Sequence, residues 1–147
     1  MKLSTSIAIA ALTLTCGVAS AQQGFSKDEI LIGTIQDLSG PLAGYGKQAR
    51  AGMQMAIEEI NEMGGIHGRK IKLLVEDSGY DPRRAVLAAQ KLVNQDKVFA
   101  VIGHVGTATN MAAMPVQFQK NVINWFPVTA ARQMYEPFHR LKYSYAA

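Results

Sequence analysis

The sequence predicts an α/β fold: a three-layer sandwich in which a parallel sheet carries helices on both faces. Three observations carry that expectation. Apolar, β-branched runs alternate with segments of helical periodicity in the order β-α-β-α-β-α-β, joined by short connections. The third run, Phe99 to Ile102, is nearly all apolar, as a strand covered on both faces must be. Right-handed crossovers leave few topologies, and strand order 2-1-3-4-5 is the one expected here.

The first strand is "EILIGTIQ", Glu29 to Gln36, rich in β-branched residues. "DLSGPLAGYG", 37–46, reads as a long turn because Gly, Pro, Ser and Asp crowd it. From Lys47 to Met63 the apolar positions Ala49, Met53, Ala56, Ile57, Ile60 and Met63 have helical spacing, and Gly64-Gly65 ends the helix. A loop, "GIHGRK", leads to the second strand, Ile71 to Glu76. After the turn "DSGYDP", Asp81 is placed to cap a helix and Pro82 to open it. Ala85, Val86, Ala89, Leu92 and Val93 are that helix's expected buried stripe. A third helix is expected from about Asn110 to Lys120, with Pro115 kinking it or shifting its start. Val122 to Phe126 is the fourth strand, a loop with a short helix follows, and "KYSYA", 142–146, is the fifth.

That strand order makes strands 1 and 3 neighbours while their following helices lie on opposite faces. A crevice then opens at their C-terminal ends, where such sheets bind ligands. The loops flanking it are "SGPLAGYG" and "GHVGTAT", the two turns richest in glycine and hydroxyls. Free backbone N–H groups at the start of the third helix favour an anion there. Thr107 and Thr109 add hydroxyls, and Tyr45 offers an amphipathic ring opposite. Spacing alone supports two readings equally: a ligand site, or two threonines that cap a helix beside a tyrosine that packs.

The chemistry of the crevice is narrowed by what the chain lacks. It has no G-x-x-x-x-G-K-[ST] loop, no G-x-G-x-x-G, no G-x-S-x-G elbow and no H-E-x-x-H. Without a phosphate-loop lysine, a carboxylate suits the site better than a polyphosphate. His67, His104 and His139 are scattered and read as surface or turn residues rather than metal ligands. Asp77 and Asp81 read as a turn residue and a helix cap rather than an acid pair. No catalytic set, metal site or cofactor is expected.

The formal net charge is +4, one unit of it on Lys2, and the basic residues are scattered. Neither a nucleic-acid surface nor a basic membrane-binding helix is indicated. Lys2, the apolar stretch Ile7 to Leu14 and the Ala19-Ser20-Ala21 site have the order of a secretory signal peptide over residues 1–21. The stretch is too short to span a membrane, which takes about 20 apolar residues, and no later segment does so either. The one cysteine, Cys16, lies inside this leader behind Thr13 and Thr15, a poor lipidation context. The mature chain then has no disulfide, and export without disulfides points to a bacterial periplasm. The C-terminal "HRLKYSYAA" reads as an element that has only begun, so the chain is expected to be truncated there.

The phrases "SGPLAGYG", "INEMGGIHGRKIKLLVEDSGYDPRRAV" and "VIGH" followed by Thr107 and Thr109 resemble the first lobe of type I periplasmic solute-binding proteins. The nearest group is the leucine/isoleucine/valine-binding proteins of branched-chain amino acid ABC transporters. The resemblance covers about residues 28–146, so residues 22–147 are expected to form the N-terminal lobe of a two-lobe fold. It implies a protein that is not an enzyme, that captures an amino acid of branched-chain type or a related small carboxylate or amide, and that delivers it to an inner-membrane ABC permease. A ligand-sensing domain of a receptor or regulator with the same fold is the alternative. The resemblance also implies roles. Tyr45 lines the site. Gly106, Thr107, Ala108 and Thr109 hold the ligand carboxylate, and Val128, Thr129 and Ala130 face its ammonium group. It further implies two departures. The threonines stand one step before the expected hydroxyl positions, at Ala108 and Ala130. Tyr80 and Gly106 occupy the places of the group's first-lobe cysteines.

Overall fold

The computed structural model describes residues 23–144. The expected leader, 1–21, and the end of the fifth run, Tyr145 and Ala146, lie outside the described residues. Five parallel strands form one sheet in the order β2-β1-β3-β4-β5, the order the sequence predicts. They are β1 (Glu29–Gln36), β2 (Lys70–Asp77), β3 (Ala100–Ile102), β4 (Ile123–Trp125) and β5 (Lys142–Tyr143). β1 and β2 are paired along their full length, from Glu29 opposite Lys70 to Gln36 opposite Asp77. Ile32 and Gly33 of β1 meet Ala100 and Val101 of β3 on the other side.

Because β2 and β3 flank β1, the crossovers β1→β2 and β2→β3 run in opposite directions. Right-handedness then puts α1 (Ala43–Glu62) and α2 (Pro82–Gln90) on opposite faces. Odd-numbered residues of β1 turn to the α2 side. Leu31 and Ile35 pack there with Ala85, Ala89, Leu92 and Val93, together with Ala113 of α3 (Thr107–Gln119). Gly33 lies on the same face, and a Cβ there would sit 2.9 Å from Leu92 Cδ1, so the residue's smallness lets the helix close on the sheet.

The helices depart from the sequence expectation in instructive ways. α1 begins at Ala43, four residues before Lys47, and so takes up Gly44, Tyr45 and Gly46. Its stripe is shallow: Met53, Ile57 and Ile60 are half-buried, whereas Ala56 and Met63 are exposed. α2 starts as predicted, with Asp81 Oδ1 accepting from the N–H groups of Arg83 and Arg84 at 2.7 and 2.9 Å and Pro82 opening the first turn. Ala88 rather than Val86 completes its buried face, and the helix widens into a π turn over Lys91–Gln95 that buries Leu92 and Val93. α3 begins at Thr107, three residues before Asn110, and Pro115 sits inside it. Pro115 and Met111, whose carbonyl loses its partner, are both exposed, so the broken bond lies on the solvent side of the helix.

Polar side chains are buried near the C-terminal ends of the central strands: Gln36, Asp37, His104, Asn110 and Asn124 among them. His104, expected at the surface or in a turn, lies in the loop between β3 and α3 but is not at the surface. It is fully enclosed, and burial pushes its imidazole from 6.5 down to about 3. In the unfolded chain the ring binds a proton as pH falls below 6.5, whereas in the fold it stays neutral until about 3. Stability is thus full above pH 6.5 and drains away between 6.5 and 3, at up to about 1.4 kcal/mol per pH unit. Urea unfolding at pH 7, 6 and 5 should show this fall, and His104→Gln should flatten it; equal slopes in the two proteins would contradict it.

Candidate functional site

The crevice is built from the loops that leave the C-terminal ends of β1, β2, β3 and β4, together with the first turn of α1. The loop after β3 is the most constrained. Val105 and Val128 form a parallel bridge that carries the β3–β4 pairing past the ends of both strands. In it Val128 N–H donates to His104 O at 2.8 Å, and Gly106 N–H donates to Val128 O at 3.2 Å. Buried amide side chains hold the same backbone. Gln36 Nε2 donates to Gly103 O at 2.7 Å, and Asn110 Nδ2 donates to His104 O at 2.9 Å and Gly106 O at 2.6 Å. Asn124 Nδ2 in turn donates to Asn110 Oδ1 at 3.2 Å.

Gly106 is the N-cap of α3, with φ +96°, a conformation glycine adopts without steric cost. No side chain caps this helix. The N–H groups of its first turn, at Thr107, Ala108 and Thr109, have no intrahelical acceptor and carry the positive end of the helix dipole. Thr107 Oγ1 and Thr129 Oγ1 lie 2.5 Å apart, so the hydroxyls from the two loops meet at the rim.

The loop after β1 is folded by two carboxylates. Asp37, fully buried, accepts from Gly40 N–H and Leu42 N–H, both at 2.6 Å, which turns the chain into α1. Gly46 presses on Asp37 so closely that a Cβ would stand 2.0 Å from its carbonyl oxygen. Asp77, at the end of β2, ties this loop to the next. It accepts from Leu38 N–H at 2.8 Å, Ser39 Oγ at 2.5 Å, Gly79 N–H at 2.8 Å and Arg84 Nη2 at 2.7 Å. Desolvation raises the Asp77 pKa, but those hydrogen bonds and the Arg84 charge outweigh it and hold the carboxyl at about 2. Asp77 and Asp81 are thus a loop tie and a helix cap.

Six of the eight residues singled out in the sequence line one pocket: Tyr45, Gly106, Thr107, Val128, Thr129 and Ala130. Two side chains do not join them. Ala108 is exposed away from the lining, and Thr109 is buried with its hydroxyl donating to Val105 O at 2.5 Å and Gly106 O at 3.0 Å. Leu42, Tyr80 and Val105 complete the lining and were missed. Gly79 and Tyr80 both have positive φ, +54° and +62°. This turns the Tyr80 ring against Gly106, where a Cβ would lie 2.6 Å from Tyr80 Cε2. Polar residues inside predicted buried strands, Gln36 and Asn124, were a readable signal of loop support; the backbone twist at Tyr80 leaves no such mark. Among the described residues no cluster of His, Cys, Asp and Glu could hold a metal ion, and no helix is long and apolar enough to cross a membrane.

The family profile described as "Periplasmic binding protein" matches residues 29–145. The chain is 36% identical over 108 residues to an amino acid binding protein of Pseudomonas aeruginosa, a match that covers 74% of this chain and 29% of that one. Its fold is similar to the crystal structure of a possible leucine/isoleucine/valine-binding protein from Rhodopirellula baltica, with TM-score 0.71 and 29% identity over 75% of this chain and 30% of the other. It is also similar to the branched-chain amino acid transporter substrate binding protein LivJ of Streptococcus pneumoniae in complex with isoleucine. There the TM-score is 0.64 and the identity 34%, over 66% of this chain and 28% of that one. The chain thus spans under a third of the length of these relatives. A doubly wound parallel sheet, a crevice where its strand order reverses and a profile match over nearly all described residues lead to one conclusion: the chain belongs to the periplasmic binding protein family, in its Leu/Ile/Val-binding group, and builds one lobe of the type I fold.

Proposed function

We propose that the protein is the solute-binding subunit of an ABC importer, capturing an amino acid or a related small carboxylate or amide and handing it to an inner-membrane permease. The family is one of transport proteins, not enzymes. The observation that carries the reading is the uncapped N-terminus of α3 opening beside the Thr107–Thr129 hydroxyl pair, with Tyr45 across the pocket. Free N–H groups, a helix dipole and two hydroxyls suit a carboxylate. Leu42, Val105 and Val128 suit the apolar part of the same solute. Thr107, Tyr45 and Val128 are exposed, so this lining covers one side of a solute. Small-molecule sites bury about 70–90% of their ligand, and the facing wall has to come from outside the described residues.

The carboxylate hypothesis assigns Thr107 a hydrogen bond to charge. A thermal-shift screen over amino acids, amides and small aromatic acids identifies the solute. Saturation at about 100 times its dissociation constant stabilises by about 2.7 kcal/mol. With that solute, Thr107→Val should lose about 1.5–3 kcal/mol of binding, roughly ten- to a hundredfold by calorimetry. Thr109→Val should instead lower the melting temperature and leave affinity nearly unchanged, because its hydroxyl serves two backbone carbonyls. Unchanged affinity in Thr107→Val would contradict the assignment.

The same hypothesis assigns the protein to the periplasm, with the leader removed after Ala21. Intact mass of the exported species should correspond to a chain beginning at Gln22; a lipid-modified chain beginning at Cys16 would contradict it.

A further inference from the structure

We propose that Tyr80 sets the solute class of this site, favouring a carboxylate that carries a flat aromatic ring over one that carries a branched aliphatic chain. The inference rests on the function proposed above and adds to it the chemistry of the solute's far end.

The pocket lining is divided. Thr107 and Thr129 bring hydroxyls, and Leu42, Tyr45, Tyr80, Val105 and Val128 bring apolar surface. Two of those five are aromatic, Tyr45 from the first turn of α1 and Tyr80 from the loop after β2. Most of the protein's other aromatic rings are paired internally. Phe25 packs on Phe99 at 4.4 Å, Phe118 on His139 at 4.3 Å, and Trp125 on both Phe126 and Tyr143 at 5.1 and 4.9 Å. Among the described residues, the rings of Tyr45 and Tyr80 stack on no other ring, and neither hydroxyl has a protein partner. They stay 51% and 37% exposed at the pocket.

Tyr80 is also held there at some cost in backbone freedom. A left-handed backbone is rare for a tyrosine, and it follows Gly79 in the same conformation. Ser78 Oγ accepts from Tyr80 N–H at 3.2 Å, and the Asp77 tie fixes the strand end before it. The ring edge rests on Gly106 where any side chain would collide with it. The turn aims the side chain at Gly106, whose missing Cβ gives the ring room to lie there, and the pocket presents an aromatic surface at this point.

Aromatic surfaces discriminate. A planar ring gains offset-stacked or edge contacts beyond the area it buries, about two- to tenfold in affinity for each contact, and an aliphatic branch gains only the area. Two tyrosines together give an aromatic over an aliphatic solute of equal charge a preference of about four- to a hundredfold.

The test uses the protein purified as its host exports it and two probe pairs matched in their charged ends: L-phenylalanine with L-leucine, and phenylacetate with 4-methylpentanoate. Calorimetry should give at least about fourfold tighter binding of the aromatic member in each pair that binds. Tyr80→Asn removes the ring but suits the left-handed backbone, and it should cut that ratio about two- to tenfold; Tyr80→Phe should restore it. An aliphatic member bound equally or more tightly overturns the inference. So does a ratio that Tyr80→Asn leaves unmoved while the melting temperature falls, which marks a purely structural tyrosine. Binding that ignores Tyr80 yet weakens in Thr107→Val overturns this inference alone and leaves the carboxylate site standing. Failure of all four probes overturns the aromatic class, and the wider solute screen then decides the site.

Discussion

Residues 103–106 leave the sheet without leaving the interior, and that constraint organises the rest of the crevice. A buried backbone outside regular structure must still find partners for its polar groups. Here they come from the Val105–Val128 bridge and from the side-chain amides of Gln36 and Asn110, with Asn124 holding Asn110 in turn. These bonds draw on β1, α3 and β4 at once. The position of Gly106, and hence the direction in which α3 starts, is set by three elements. Thr107 meets Thr129 because the bridge brings their loops side by side.

A second set of contacts positions the rim on the β1–β2 side. Asp37 turns the chain into α1, and the close approach of Gly46 to Asp37 fixes where that helix begins. Tyr45 rides on its first turn. Asp77 joins the loop to the turn that carries Tyr80, and its low pKa reflects how many donors converge on it. Two carboxylates thus do structural work that supplies the pocket with two tyrosines. Neither carboxylate lines the pocket, which leaves the free N–H groups of α3 unopposed by nearby negative charge.

Much of this was legible in the sequence, for physical reasons. β1 was placed without error because its β-branched run is bounded by charge and turn residues, and the strand order followed from alternation and handedness. The starts of α1 and α3 were placed late because Gly44, Gly46 and two β-branched threonines argue for turns by propensity. Tertiary contacts override that preference: Gly46 is in the helix because Asp37 leaves room only for glycine. Thr109 looked like a twin of Thr107, but its hydroxyl turns inward to Val105 O, a choice spacing cannot reveal. His104 looked like a turn residue, and only the three-dimensional packing encloses it. Tyr80 was read only as a missing cysteine, since nothing in "DSGYDP" announces that its backbone is left-handed.

The central claim is that solute is held where α3 begins, among the loops after β1, β2, β3 and β4. Amide chemical-shift mapping tests it most directly, by titrating the 15N-labelled protein with L-leucine and with L-phenylalanine. The account predicts that the largest changes fall on the N–H groups of Gly106, Thr107, Ala108 and Thr129, while those of β2 stay still. Largest changes elsewhere, for example around the separate hollow formed by Arg132, Gln133 and Glu136, with Thr107 unmoved, would contradict it.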